Sequence, residues 1–181
     1  PWLKDKVAAH YPGTKLAITE YNYGDGYHIS HAIAQADVLG IFGREGLFAA
    51  NLLPLYDSVH KPLDSYLTGA FDMYLNYDGK GSAVGDLSIP VTNPDVAKLS
   101  VYAMKKTGDP KILHVVAINK TETEIPASIA LTEGGWKMAS AFVLAGAKVT
   151  PQAGGPVEVG KGNTLTGKLP PFSITTIEVK K

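Results

Sequence analysis

A short apolar run that ends in a cluster of polar residues constrains the fold of this chain more than any other feature. Residues 16–18 follow the turn signal Pro12-Gly13, and their unbroken apolar character is typical of a strand buried on both faces in a parallel sheet. Polar residues then arrive together around Glu20, before the flexible sequence Gly24-Asp25-Gly26. Ligands and catalytic groups collect at the carboxyl ends of parallel strands. The pattern therefore predicts that Glu20 lies at a functional edge.

The residues on either side of this run predict alternating helices and strands. A helix is expected over residues 2–10, and a second one begins at Ser30 as its N-cap and ends at Gly43. Another apolar run, residues 47–53, reads as a second buried strand. A strand, a crossover helix and a strand form one parallel βαβ unit. A third helix is predicted over residues 63–76.

Past residue 78 the pattern changes to short runs of high β-propensity that are separated by Gly, Pro, Asn and Asp. The turn at residues 107–110 joins two of them as an antiparallel hairpin. Ile174 and Ile177 fall in opposite phases of a two-residue period, which predicts a β-bulge near Thr175 or Thr176. The second half is thus expected to be all-β, with strands at residues 84–89, 99–105, 112–119, 125–131, 138–144, 157–159 and 172–179.

Composition excludes several classes of function. Lys plus Arg equals Asp plus Glu at 17 each, so no net field attracts nucleic acid or an acidic membrane surface. Cysteine is absent, which removes thiol catalysis and zinc–thiolate sites. No apolar run is long enough to span a bilayer.

The sequence starts at Pro1 without an initiator Met, and two parallel strands cannot shield their own faces. We therefore expect the chain to be part of a longer polypeptide, with neighbouring strands supplied from upstream.

Several stretches resemble the C-terminal part of the catalytic module of glycoside hydrolase family 44, which comprises bacterial endoglucanases and xyloglucanases. They are ITEYNYG, HAIAQADVLGIFGREG, FAAN, FDMYLNYDG and GDLSI, while the second half is similar only in pattern, as in LPPFSITTIEV. The resemblance implies a fold that is α/β plus all-β. Residues 1–78 would be the last two βα units of a (β/α)8 TIM barrel, and residues 79–181 an antiparallel β-sandwich.

The same resemblance implies the roles of individual residues. Glu20 stands where the family has its catalytic nucleophile. The family's acid/base glutamate follows an asparagine, and no Asn-Glu pair occurs here, so that carboxyl group is expected upstream. Tyr21, Asn22 and Tyr23 can orient the nucleophile or contact sugar. The family usually has a tryptophan platform after the asparagine that corresponds to Asn51, whereas this chain has Leu52 and Leu53, with Leu53 as the candidate for the platform position.

Two functions from different classes follow. The first is a secreted, extracellular, retaining endo-β-1,4-glucanase that cleaves cellulose-type β-glucan, xyloglucan or a related plant polysaccharide. It needs the upstream segment, and it has no nucleic-acid or membrane partner. The second is a non-catalytic polysaccharide-binding β-sandwich, which usually carries a row of exposed aromatic residues. Because few aromatic residues lie beyond residue 80, we favour the enzyme. These aromatic residues are Tyr102, Trp136, Phe142 and Phe172.

The remaining polar residues have simpler interpretations than catalysis or metal binding. The spacing of His28 and His31 matches no common metal site, which favours a capping or surface role. Asp37 lies within an apolar helix and is expected to be a buried hydrogen-bonding group. Four further aspartates fall in turns, where aspartate is common, so no cofactor is predicted and a structural calcium ion has no support from spacing. They are Asp78, Asp86, Asp95 and Asp109.

Overall fold

The computed structural model describes residues 2–53, 65–93 and 95–181, which form three helices and eleven strands. The expected combination of a mixed helix-and-sheet part and a sheet-rich part is confirmed. In chain order the elements are α1 Trp2–His10, β1 Ala17–Tyr21, α2 Ile29–Glu45, β2 Ala49–Leu52, α3 Tyr66–Leu75, β3 Leu87–Ile89, β4 Leu99–Lys106, β5 Asp109–Asn119, β6 Ile125–Ala130, β7 Met138–Ala145, β8 Gln152–Ala153, β9 Glu158–Gly160, β10 Thr164–Leu169 and β11 Ser173–Lys180.

The predicted βαβ unit is present, since β1 and β2 pair in parallel and α2 connects them. Its strands are not buried by the described part of the chain, however. Neither β1 nor β2 contains a buried residue, and α1 buries none of its side chains. Residues 16–18 are apolar, but the described residues do not bury them, although parallel strands of this composition are normally covered on both faces.

The ends of α2 differ from the prediction. Its N-cap is His28, whose Nδ1 accepts a hydrogen bond from the Ser30 backbone N–H at 3.2 Å, so Ser30 lies inside the helix. The helix continues past Gly43 and ends at Gly46, which adopts the left-handed conformation with φ 62°. A glycine C-cap is specified by this backbone conformation, and sequence alone does not show which of two nearby glycines adopts it. The predicted start of the third helix at Leu63 lies outside the described residues.

The second half forms two antiparallel sheets that share an apolar core. The larger sheet has the order β3-β4-β5-β11-β7-β8 and the smaller one β6-β10-β9. The hairpin at residues 107–110 is confirmed by the antiparallel pairing of β4 and β5. Strands β8 and β10 were not predicted; β8 has only two residues, and the Gly and Lys of β10 weaken its β-pattern.

The predicted bulge in β11 is wrong, because its pairing with β5 and with β7 is regular from Ser173 to Lys180. Ile174 packs in a cluster with α2 and α3, whereas Ile177 packs in a second cluster with the smaller sheet. Both faces of the central strand are covered, so apolar residues of both phases are buried without a change of register.

Helix α2 is attached to the large sheet by a polar and a steric contact. Asp37 accepts hydrogen bonds from the Tyr102 hydroxyl at 2.7 Å and from Lys120 Nζ at 2.6 Å, as expected of a hydrogen-bonding group, but its side chain is half-buried rather than buried. One turn along, Gly40 lies directly against the Tyr102 ring, and a Cβ at this position would be 2.3 Å from a ring carbon. The absence of a side chain at Gly40 thus sets how closely helix and sheet approach.

We expect Gly40→Ala to destabilise the full-length protein by about 1–3 kcal/mol, because the Tyr102 ring is buried and held by Asp37. Gly43→Ala is the matched control in the same helix. Nothing lies within 4 Å of its added Cβ, so the greater helix propensity of alanine should stabilise the protein by up to about 1 kcal/mol. Thermal unfolding of both variants measures the difference. A Gly40→Ala variant that melts as high as Gly43→Ala would contradict the close packing.

Candidate active site

Glu20 lies near the carboxyl end of β1, with its side chain exposed, beside an irregularity in the parallel pairing. Ile18 pairs with Ala50 and Tyr21 with Leu52, so two residues of β1, Thr19 and Glu20, stand opposite one residue of β2. This is a β-bulge, which locally changes the direction of side chains and is common at barrel rims and next to active sites. The sequence did not reveal the bulge.

Tyr21, which follows Glu20, packs against α2. Gln35 Nε2 donates a hydrogen bond to the Tyr21 hydroxyl at 2.9 Å, and the Phe42 ring meets the Tyr21 ring edge-on at 5.4 Å. Burial is the main reason that the pKa of the Tyr21 phenol lies above its usual value, and it outweighs the hydrogen bond from Gln35, which lowers it. These contacts show that Tyr21 faces the helix. Its partner Leu52 alternates with Asn51 in β2, so Glu20, which stands opposite Asn51 in the bulge, belongs with Asn51 to the other face of the strand pair.

Asn22 closes the end of the strand pair with its side-chain amide. Its Nδ2 donates to the Leu53 carbonyl oxygen at 2.7 Å, and its Oδ1 accepts from the Gly24 backbone N–H at 2.6 Å. Both ends of the amide are thus engaged by backbone groups. The hydrogen bonds of Asn22, which follows Glu20 by two residues, are thus with protein.

The other three predicted site residues lie at the same edge. Tyr23 is 42% exposed, and its ring centroid is 5.8 Å from that of Tyr21. Asn51 is exposed in β2, opposite the bulge that contains Glu20. Leu53 is 45% exposed and follows β2 directly, with its backbone N–H bound to the Tyr21 carbonyl oxygen at 2.8 Å. Alternation places Leu53 and Asn51 on one face, and Leu52, the partner of Tyr21, on the other.

The structure also brings to this edge two residues that sequence reasoning assigned elsewhere or overlooked. The Nδ1 atom of His31 lies 3.0 Å from Asp25 Oδ1 and 3.1 Å from the Gly26 backbone nitrogen, so the histidine shapes the loop after β1. A Cβ at Gly24, which has φ 110°, would lie 2.6 Å from the His31 ring. Gln35 is fully buried, and its bond to Tyr21 links β1 to α2. In the sequence, this loop was indicated by Gly24-Asp25-Gly26, where a glycine stands on each side of an aspartate.

The described part of the chain contains no cluster of side chains that could bind a metal ion. Within residues 2–53, 65–93 and 95–181, no group of three or more His, Asp or Glu side chains could hold a metal ion. Asp78 instead stabilises its own turn, since Oδ1 accepts from the Lys80 backbone N–H at 2.8 Å and Oδ2 from the Ser82 hydroxyl at 2.7 Å. The bond from Ser82 and the backbone bond from Lys80 hold the pKa of the Asp78 carboxyl below its usual value.

The sheet-rich half shows little of what a sugar-binding surface needs. Tyr102 and Trp136 are buried, Phe142 is half-buried, and Phe172 is exposed. An apolar cavity of about 580 Å³ lies between the two sheets, but most of its lining side chains are aliphatic, as at Leu99. Carbohydrate binding modules stack sugar rings on exposed aromatic rings. The described residues of the two sheets thus contain no row of such rings.

Comparison with known proteins places the chain among glycoside hydrolases. It is 35% identical to "Endoglucanase A" of Paenibacillus lautus over 99% of this chain and 25% of that protein. It is 46% identical to "Beta-mannanase/endoglucanase A" of Caldicellulosiruptor saccharolyticus, over 66% of this chain and 8% of that protein. No family model matches.

Comparison with solved structures identifies the particular family. A Paenibacillus polymyxa xyloglucanase of glycoside hydrolase family 44, solved with xyloglucan, matches with a TM-score of 0.89 and 31% identity over 99% of this chain and 35% of that chain. The resemblance to family 44 is thereby confirmed, and the partial coverage is consistent with a C-terminal part of such an enzyme. The chain spans about a quarter of the first curated relative and about a third of the matched structure.

Proposed function

We propose that this chain is part of a retaining endo-β-1,4-glucanase that cleaves cellulose-type β-glucan, xyloglucan or a related plant polysaccharide, with Glu20 as the catalytic nucleophile. The observation that carries this proposal is the exposed carboxylate at the bulged carboxyl end of a parallel strand, in a chain that is similar to family 44 enzymes over its whole length. Curated relatives with endoglucanase names and a structural relative solved with xyloglucan support the substrate class.

The chemistry requires two carboxyl groups. In a retaining glycosidase the nucleophile attacks the anomeric carbon, and a second carboxyl group about 5–5.5 Å away protonates the departing oxygen and later activates water. Glu20 takes the first role. The acid/base carboxyl comes from a segment upstream of this chain, and the reaction needs no cofactor. Tyr23, Asn51 and Leu53, which lie around Glu20, contact the sugar, while Tyr21 and Asn22 lie against the protein.

Residues 1–78 form the last two βα units of a (β/α)8 barrel, and residues 79–181 form a β-sandwich that supports it. The unburied strands β1 and β2 support this division, because parallel strands are stable when both faces are covered. Large apolar side chains around them are exposed, among them Trp2 at 71% and Phe48 at 64%. The upstream segment covers these side chains and supplies the other strands of the barrel.

The enzyme acts outside the cell, where its polymeric substrate is found. None of the helices in the described ranges is long and apolar enough to cross a membrane. Because the numbers of acidic and basic residues are equal, the chain has no net charge that would attract an acidic membrane surface or nucleic acid. The polysaccharide and the upstream segment are the partners that the proposal requires.

The stereochemistry of cleavage tests the proposal. The full-length enzyme is mixed with a cello- or xylogluco-oligosaccharide, and the anomeric protons of the product are followed by NMR during the first minutes. The β-anomer should appear first, because two displacements restore the configuration of the substrate. An α-anomer as first product would assign the carboxylates to an inverting mechanism and remove the nucleophilic role of Glu20. Absence of cleavage on both substrates would contradict the glucanase activity itself.

A further inference from the structure

We infer that Asn22 is a positioning residue, which sets the direction of the Glu20 carboxylate by fastening the bulged end of β1 to the end of β2. This inference rests on the proposed role of Glu20 as nucleophile. It assigns Asn22 a task distinct from contact with the sugar, since its two polar atoms are already engaged by backbone groups of the protein.

The need for such a fastening arises from the bulge. An extra residue in one strand leaves part of the ladder unpaired and bends the strand. Thr19 and Glu20 together face a single residue of β2, so the backbone beside the proposed nucleophile lacks regular pairing. Beyond Glu20, the Leu53 backbone N–H donates to the Tyr21 carbonyl oxygen at 2.8 Å. Backbone bonds at a strand end fray easily.

Asn22 adds the bonds that the ladder lacks. Its Nδ2 donates to the Leu53 carbonyl oxygen, so Leu53 is held to the end of β1 through both its N–H and its C=O groups. Its Oδ1 accepts from the Gly24 backbone N–H two residues on, which closes a tight turn directly after the strand. The side chain therefore fixes β1, β2 and the following loop relative to one another at one point.

Only asparagine meets both requirements at this length. Asparagine presents a donor and an acceptor on one short side chain. Aspartate keeps the acceptor for Gly24 but turns a second carboxylate oxygen toward the Leu53 carbonyl, where two acceptors repel. Alanine loses both bonds. Both substitutions should therefore lower activity.

The experiment uses the full-length enzyme and the variants Asn22→Asp and Asn22→Ala. Two quantities are measured: kcat and KM on an oligosaccharide, and the rate at which a 2-deoxy-2-fluoro-cellobioside with a good leaving group labels the enzyme covalently. The labelled residue is identified by peptide mass spectrometry. We expect Asn22→Ala to lower both kcat and the labelling rate about 100-fold, the order of loss that a displacement of about 1 Å produces, with KM changed by less than about threefold.

A matched control separates positioning from general loss of stability. Asn93 Nδ2 also donates to a backbone carbonyl, that of Val101 at 3.0 Å, in the sheet-rich half and away from Glu20. Asn93→Asp removes the same kind of bond, so kcat and the labelling rate should stay within about twofold of those of the parent enzyme. Thermal unfolding of all variants shows that each is folded at the assay temperature.

The possible results have distinct meanings. Labelling of Glu20 at the parent rate in Asn22→Ala would overturn the inference and leave the nucleophile assignment intact. A raised KM with unchanged kcat would also overturn it, since Asn22 would then bind sugar. Covalent label on a residue other than Glu20 in the parent enzyme would instead overturn the proposed nucleophile, and the inference with it. Equal losses in Asn93→Asp and Asn22→Asp would reduce both to stability effects, against the inference.

Discussion

Glu20→Gln in the full-length enzyme is expected to lower kcat by about 10⁴-fold or more, with little change in substrate binding or in the melting temperature. Glutamine has nearly the same shape but cannot attack the anomeric carbon, and removal of a nucleophile commonly costs several orders of magnitude in rate. The side chain is exposed, so its replacement disturbs no packed core. The rate of oligosaccharide hydrolysis and a binding isotherm for the inactive variant provide the two measurements.

Glu158→Gln is a suitable control, because Glu158 is an exposed glutamate on a strand of the smaller sheet, and its replacement should leave kcat unchanged. A Glu20→Gly variant should regain cleavage when azide is added and should give a glycosyl azide of inverted configuration, since azide then takes the place of the carboxylate. Retention of more than a few per cent of parental activity by Glu20→Gln would remove Glu20 from the nucleophilic role.

The second large effect concerns residues 1–181 expressed without any upstream segment. We expect this product to be inactive and poorly soluble. Strands β1 and β2 have no buried residue within the described chain, and Trp2, Tyr11 and Phe48 are all exposed. Exposed parallel strands and large apolar side chains favour aggregation. Coexpression with the upstream segment should restore both solubility and glucanase activity, measured by gel filtration and by release of reducing ends from carboxymethylcellulose.

Limited proteolysis gives this experiment an internal control. The two antiparallel sheets carry their own core, which includes Val115, Leu165, Ile177 and Val179, so residues 79–181 should resist cleavage longer than residues 1–78 in the isolated chain. A monomeric product that melts cooperatively and cleaves carboxymethylcellulose without the upstream segment would refute the barrel assignment and the need for a second segment.

Much of the secondary structure was accessible from pattern alone. The helix at residues 2–10 was predicted with both of its ends, and the parallel pairing of the strands around Ala17 and Ala49 followed from two apolar runs joined by a helix. Seven strands of the second half were also located, because β-branched and aromatic runs alternate there with turn residues. Strand β10 escaped detection, since its pairing with β6 and β9 outweighs the weak β-propensity of Gly167 and Lys168.

The sequence by itself determined that Glu20 ends an apolar strand. The resemblance of the surrounding residues to family 44 was also apparent from the sequence. Only the tertiary structure decided the bulge at Thr19 and Glu20, the engagement of Asn22 by Leu53 and Gly24, and the orientation of Tyr21 toward Gln35. The regular pairing of β11 was decided at the same level, because it depends on cover for both faces of the strand. The physical reason is common to all four. Local propensity reports the conformation of one segment, whereas register, side-chain bonds and burial depend on partners that are distant in sequence.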